Sequence, residues 1–336
     1  MDNLTHSLVG AGLAATGLRR LTPLATVTMV IGANFPDIDA VYGLSSRALE
    51  LRRGLTHGLP AHVVLPFVLT GLVLLWDRAV RRRRHPAAPP VHPGALLLVA
   101  TIAIWTHAAL DHLNTYGVRW LMPFSERWFY GDTLFIVDPW LWLVLGVAVW
   151  WARRRWLAEH AHWARPARVL MSVALAYALL MAGSGLLGRG MVRRELAPLA
   201  VPRDARLMVA PLLGTPFQRD VVFVQGDAYR TGRLDLLARP AVRLDAEPVA
   251  AGMDDPAVAR ALAASRGARA FVRWSRFPFA RVVRDGDATV VQLDDLRYAR
   301  PGRRSFAFTE VRLSRDVTAG TASREPRLDT PRREAP

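Results

Sequence analysis

The chain contains no cysteine and no lysine. Without cysteine, disulfides and thiolate metal sites are excluded. Any metal must then be held by His, Asp, Glu or Asn, a donor set that suits zinc, manganese or magnesium better than soft metals. Histidine is missing after His162, which argues against a His-based site in the C-terminal part. With lysine absent, all 44 basic residues are arginine, and they dominate a net charge of +16. Such charge suits a nucleic acid or an anionic membrane surface. The arginines crowd into short loops between apolar stretches, so no nucleic-acid partner is expected and a lipid bilayer is. A basic segment ahead of the first apolar stretch is also lacking. Asp2 stands there, and Arg19 and Arg20 follow the stretch, so no cleavable signal is expected.

Hydrophobic residues make up 51% of the 336, distributed unevenly. Residues 1–188 hold nearly all the long apolar runs, and residues 189–336 read as soluble sequence. The composition predicts a helical membrane domain over 1–188, an extramembrane α+β domain over 189–318, and a disordered tail over 319–336. A spanning helix needs about 20 apolar residues. Leu59–Trp76, Gly94–Leu110, Leu134–Trp151 and Ala167–Leu187 approach that length. The shorter Ser7–Leu18 and Leu21–Phe35 bring the expectation to about six apolar helices in a multi-pass protein of the bacterial inner membrane. Arginine-rich loops at 77–93 and 152–166, with Arg19 and Arg20, are expected to be cytoplasmic. That places the 36–58 and 111–133 loops and the C-terminal domain outside.

In this topology Asp2, His6, Asp37, Asp39, His57, His62, His107, Asp111 and His112 all fall at the outer ends of their segments. Ionisable groups in membrane segments are costly and usually functional. His107 and Asp111 are spaced i, i+4 and project from one helix face. Asp2 and His6 repeat that spacing. Pro36 stops a helix ahead of Asp37 and Asp39, where acids oppose the helix dipole and call for a cation. His57 precedes Pro60 in what reads as a helix start. Asp138, before Pro139, is a further candidate.

These residues resemble the bacterial membrane-bound metal-dependent hydrolases, also described as LexA-binding, inner-membrane-associated hydrolases. The matching features are His6, Pro36-Asp-Ile-Asp39, Arg53-Gly-Leu-Thr-His57, and His107-x-x-x-Asp111 followed by Gly117 and Pro123. The likeness covers about residues 1–150. It implies a helical membrane domain and metal-dependent hydrolysis. Many relatives carry His where this chain has Arg52.

The resulting site set has His6, Asp37, Asp39, His57, His107 and Asp111 as ligands to a divalent metal. Asp37, Arg53 and Asp111 are catalytic, with Asp2, His62, His112 and Asp138 in reserve. Six ligands suffice for two metals sharing a carboxylate, which stabilise attacking and leaving oxygens in phosphoester hydrolysis. Metal-activated water would attack an ester or phosphoester near the membrane surface, and a lipid is a reachable substrate. Two other readings stand beside this one: a membrane scaffold with a vestigial site, and an ion-binding transporter. Nothing in the sequence names a protein partner.

Past Gly188 the pattern turns to short strands over 206–213, 220–224, 228–236 and 241–244, then a helix over 255–274. Strands over 279–284 and 288–293 flank Asp285-Gly-Asp287, a hairpin signal. Ser305–Leu313 reads as a last strand.

Overall fold

The computed structural model describes residues 1–44, 48–199, 201–285, 288–299 and 307–314. The predicted tail and the hairpin tip at Gly286 and Asp287 lie outside them.

The N-terminal part is helical. α1 (Asn3–Ala15) and α2 (Ala25–Gly32) are short. Residues Phe35–Leu44 wind in 3-10 turns and are followed by α3 (Ala48–Leu51) and a single turn, Leu55–His57. α4 (Leu59–Trp76) passes through one wide turn, Asp77–Arg81, into α5 (Arg82–Arg84). α6 (Pro93–Leu113), α7 (Pro139–Leu157) and α8 (Arg165–Leu196) complete this part. Proline sits in the first turn of α4, α6, α7 and α8. It suits that position because the N–H it lacks has no helical partner there.

Among the described residues, three helices are long and apolar enough to cross a membrane: Leu59–Arg84, Pro93–Leu113 and Arg165–Leu199. α1 and α2, of 13 and 8 residues, rise only about 20 and 12 Å at 1.5 Å per residue, short of a core about 30 Å thick. The run expected over 134–151 begins as helix only at Pro139. There Asp138 accepts hydrogen bonds from the Trp140 and Leu141 amides, both 3.1 Å, and so fixes the start.

Side chains in this part are sorted by size. Ala100, Ala103 and Ile104 of α6 are fully buried, with Ala25 and Met29 of α2. Val63, Phe67, Leu75, Leu179, Leu180 and Leu187 point outward. Small residues inside let helix backbones approach, and large ones outside suit a lipid solvent. α1 and α2 are nearly in backbone contact: a Cβ on Gly10 would lie 2.6 Å from the Met29 carbonyl oxygen. Phe67 is 61% exposed near the middle of α4. Phe67→Arg should therefore cost about 2.5–3.5 kcal/mol of insertion free energy. A lower membrane-integrated fraction on expression is the expected readout, and an unchanged fraction would show that this face does not meet lipid.

The C-terminal part is sheet-rich. β1 (Leu207–Leu212), β2 (Thr215–Gln225), β3 (Ala228–Asp235) and β4 (Val242–Leu244) form an antiparallel sheet in chain order. β5 (Val249–Ala250) pairs with β3. β6 (Pro278–Asp285), β7 (Ala288–Asp295) and β8 (Phe308–Ser314) form a second antiparallel sheet. The helix expected over 255–274 is two: α9 (Pro256–Ala264) and α10 (Arg266–Trp274). Ser265 divides them. It turns extended, and its hydroxyl accepts from the Ala268 amide at 3.2 Å, because serine caps a new helix better than it continues an old one.

This part clasps the loop between α6 and α7. Arg276 donates to both oxygens of Asp132, at 2.8 Å each. Arg219, fully buried, reaches the Met181 carbonyl at 2.7 Å and the Ser184 hydroxyl at 2.6 Å on α8. Arg297 donates to the Thr115 carbonyl at 2.7 Å, and Trp274 to the Tyr116 carbonyl at 3.0 Å.

Candidate metal centre

Four side chains from three chain segments meet at one end of the helical part. Asp37 comes from the 3-10 segment, His57 from the turn before α4, and His107 and Asp111 from adjacent turns of α6. One ligand atom from each lies within 4.8 Å of the others, and all four residues are buried. His57 Nε2 and His107 Nε2 are 3.1 Å apart. Asp111 Oδ2 lies 3.3 and 3.4 Å from those two nitrogens. Asp37 Oδ1 lies 3.7 and 4.0 Å from them.

The outer hydrogen bonds aim these atoms inward. His107 Nδ1 lies 2.7 Å from the Ala33 carbonyl oxygen. A carbonyl only accepts, so Nδ1 carries the proton and Nε2 presents its lone pair. His57 Nδ1 faces Asp39 Oδ2 at 3.4 Å and the Thr56 hydroxyl at 3.0 Å. A carboxylate or carbonyl behind an imidazole is the usual backing of a metal-ligating histidine. Two lone pairs facing at 3.1 Å repel unless a positive charge lies between them. Asp37 Oδ2 and Asp111 Oδ2 are buried without a hydrogen-bond donor, and Asp37 Oδ1 has the Arg52 guanidinium at 3.2 Å; an unmatched buried carboxylate oxygen is costly. A tetrahedral ion with metal–nitrogen bonds of about 2.0–2.1 Å has ligand–ligand edges of about 3.3 Å. The spacing around His57, His107 and Asp111 fits that edge.

The other expected site residues take different places. His6 stacks on His107 with ring centroids 4.0 Å apart, and its Nε2 lies 3.3 Å from Asp111 Oδ1. Neither His6 ring nitrogen has a hydrogen-bond partner. Asp39 stands behind His57, accepting from the Arg53 amide at 2.7 Å and the Thr56 hydroxyl at 3.0 Å. Arg53 donates to Asp111 Oδ1 and to the Gly117 carbonyl, both at 2.7 Å. Its φ of 48° is unusual for a residue with a side chain, and such strain persists where the surroundings over-determine it. Arg52 bridges Asp37 and Asp39 at 3.2 Å each.

The reserve candidates lie outside the cluster. Asp2 caps α1, accepting from the Thr5 amide and hydroxyl. Asp138 caps α7 and accepts from the Tyr177 hydroxyl at 3.0 Å. His62 holds the Gly58 carbonyl at 2.8 Å and lies between the rings of Trp105 and Trp120. His112 accepts from the Trp120 indole at 3.2 Å.

The charges in the loops around the cluster are perturbed accordingly. Burial raises the Asp39 pKa, but His57 and Arg52 outweigh it and leave the carboxyl below its ordinary value. Burial lowers the His57 pKa, yet Asp111 and Asp39 together push it up. Asp37, Asp39 and Asp111 are matched by Arg52, Arg53 and the amino group of Met1, and the acids also favour the protonated form of His57.

Thr56 and Tyr116 carry parts the sequence did not assign. Thr56 links Asp39 to His57, and the Tyr116 ring lies 4.7 Å from the Arg53 guanidinium. The Thr-His dipeptide was a visible signal for the first. Nothing local marks the second.

No solved structure matches the chain. "Uncharacterized protein YfhP" of Bacillus subtilis (strain 168) is 27% identical over 166 residues, covering 45% of this chain and 47% of that protein. The chain thus spans about half the length of this curated relative. The family model described as YdjM inner membrane protein matches residues 1–187, more than half of the chain and every residue of the cluster. On that match, together with its apolar helices, the chain belongs to the YdjM inner membrane protein family.

Proposed function

We propose that the chain is a metal-dependent hydrolase of the bacterial inner membrane. In this reading Asp37, His57, His107 and Asp111 hold one divalent cation, zinc, manganese or magnesium. The carrying observation is the facing pair of Nε2 atoms, backed on their far sides and flanked by Asp111 Oδ2, which has no donor. A cation there supplies Lewis-acid polarisation of an ester or phosphoester oxygen. Arg53 fixes Asp111 and brings a planar cation suited to a phosphate or oxyanion. Its Nε has no partner. His6, whose Nε2 lies 3.3 Å from Asp111 Oδ1 and whose Nδ1 has no partner, is placed to take up or return a proton beside Asp111. Asp39 and Thr56 hold the His57 ring. Arg52 closes the site: its side chain is 28% exposed over Asp37 at 3%, so substrate enters by displacing it.

A second reading rests on burial. His57, His107 and Asp111 are fully buried, and closed four-ligand sites are typically structural. In that case the ion clamps the 3-10 segment to α4 and α6, and the protein is a scaffold. Purified full-length protein separates the two. Its metal content should approach one equivalent, and chelation should abolish hydrolysis of phosphomonoester, phosphodiester or carboxyl-ester lipid substrates. Metal present and stabilising, with no hydrolysis in any of the three, would leave the scaffold. Absence of bound metal would end both.

The same reading puts the site and the C-terminal domain on the outer side of a multi-pass chain, with about six apolar helices when α1, α2 and α7 are counted. Reporter fusions at Ala87 and Ala319 should report opposite sides. The same side for both would overturn that topology.

A further inference from the structure

The opposite end of the helical part holds a cavity of about 340 Å³ between the end of α1 and the start of α8. Arg20, His162, Trp163, Arg165 and Arg168 line it, with Gly17. Two of its three arginines, Arg168 and Arg20, have a fixed contact, while Arg165 is exposed. Arg168 Nε donates to the Thr16 carbonyl at 2.8 Å. The Arg20 guanidinium lies 5.2 Å from the Trp163 ring, and that of Arg19 lies 4.1 Å from Trp156. The two indoles pack edge to face at 4.7 Å.

These arginines also lack counter-charges. Among the described residues no carboxylate pairs with Arg19, Arg20, Arg165 or Arg168, whereas Arg81 and Arg82 of the neighbouring loop both pair with Asp77. α8 adds its own positive pole, since its N-cap Ala164 offers no side-chain acceptor to the first turn. Orientation of a membrane protein needs only a count of arginines in a loop. It does not need guanidinium groups arranged around a cavity and braced on tryptophan. Arginine forks match phosphate oxygens, and indoles favour the headgroup level of a bilayer.

We propose that this cavity binds the phosphate of an anionic phospholipid in the surrounding leaflet. The lipid would tie the end of α1 to the start of α8, at the far end of the helix that carries His6.

The test uses the full chain purified in neutral detergent, followed by native mass spectrometry and thermal unfolding. Phosphatidylglycerol should be retained at one per chain and raise the unfolding temperature by several degrees. Phosphatidylcholine should be retained about tenfold less, and inorganic phosphate at equal concentration should give no shift. Arg20→Gln with Arg165→Gln should weaken phosphatidylglycerol retention about tenfold or more, as expected for lost charge-assisted bonds. Arg83→Gln with Arg84→Gln, equally basic positions in another loop, should leave retention unchanged. If the first pair fails to fold without lipid, Arg165→Gln alone at its exposed position serves instead. Equal retention of both phospholipids, or equal loss in both variant pairs, would reduce these arginines to topology signals. Saturation by inorganic phosphate alone would overturn the lipid assignment.

Discussion

Replacing Asp111 by Asn should strip bound metal from the protein to below a tenth of its wild-type content and destabilise it by about 3–5 kcal/mol, the usual cost of breaking a buried ion pair. Asp111 is fully buried and is the shared counter-charge of the cluster. Oδ1 takes the Arg53 guanidinium at 2.7 Å, faces His6 at 3.3 Å and contacts the amino group of Met1. Oδ2 faces the two Nε2 atoms. Asparagine keeps the shape and removes the charge, so Arg53 is left buried and unpaired while the ion loses an anionic ligand. His107→Ala should also release metal, and adding it to Asp111→Asn should lower metal content little further, because neighbours in one network do not act additively. Metal analysis and thermal unfolding of the two single variants and the double variant check this. Unchanged metal in all three would make the pair packing, and the metal-centre assignment would fall with it.

Arg297→Ala should cost a similar amount, about 3–5 kcal/mol, and it acts from the other domain. Arg297 pairs with Asp295 at 2.9 Å, with both side chains wholly buried. It lies against the rings of Trp274, Tyr130 and Tyr298 at 4.4, 5.0 and 5.1 Å. Burial raises the Asp295 pKa, but the charge and hydrogen bonds of Arg297 outweigh it and hold the carboxyl below its ordinary value. A lowered folded-state pKa contributes stability that is complete above the unfolded value of about 4 and is lost as the pH falls through the folded one. The wild type should therefore lose stability on acidification below about pH 4, and Arg297→Ala should lose less over that range, having already lost the pair. Thermal unfolding against pH reads both effects. Parallel acid limbs in wild type and variant would show that the pair does not set this dependence. The variant should also lower metal occupancy, though less than Asp111→Asn. Arg297 and Trp274 hold the 115–116 backbone, and Tyr116 lies under the Arg53 guanidinium.

Much of the cluster was legible because its chemistry is local in sequence. The i, i+4 spacing of His107 and Asp111 fixes them on one helix face. Pro36 was expected to stop a helix ahead of Asp37, but α2 already ends at Gly32 and Pro36 lies inside the 3-10 segment. Asp39 was misread as equal to Asp37. Two residues apart in extended chain they would share a face, but the segment winds in 3-10 turns. One carboxylate therefore faces the ligand gap and the other stands behind His57. Asp2 and His6 carried the same i, i+4 signal as His107 and Asp111, yet Asp2 is engaged in capping α1. A capping acid and a ligand acid look alike until the helix start is known.

Read alone, the sequence places the apolar helices in the N-terminal part, although α8 runs on to Leu196 past the expected boundary at 188, rests any metal on His and carboxylate rather than thiolate, and makes the C-terminal part strand-rich. Those conclusions depend on composition and short-range periodicity, which the backbone expresses within one or two turns. It takes the packed helices to bring the Nε2 atoms of His57 and His107 face to face across fifty residues of chain. Tertiary packing likewise sets Arg53 on Asp111, and Arg297 on the loop that carries Tyr116. Such contacts depend on how helices cross and which loop a second domain grips. Arginine has the same sequence signature whether it ends up in solvent, at a headgroup or sealed against a carboxylate, so its role is fixed by what packs around it.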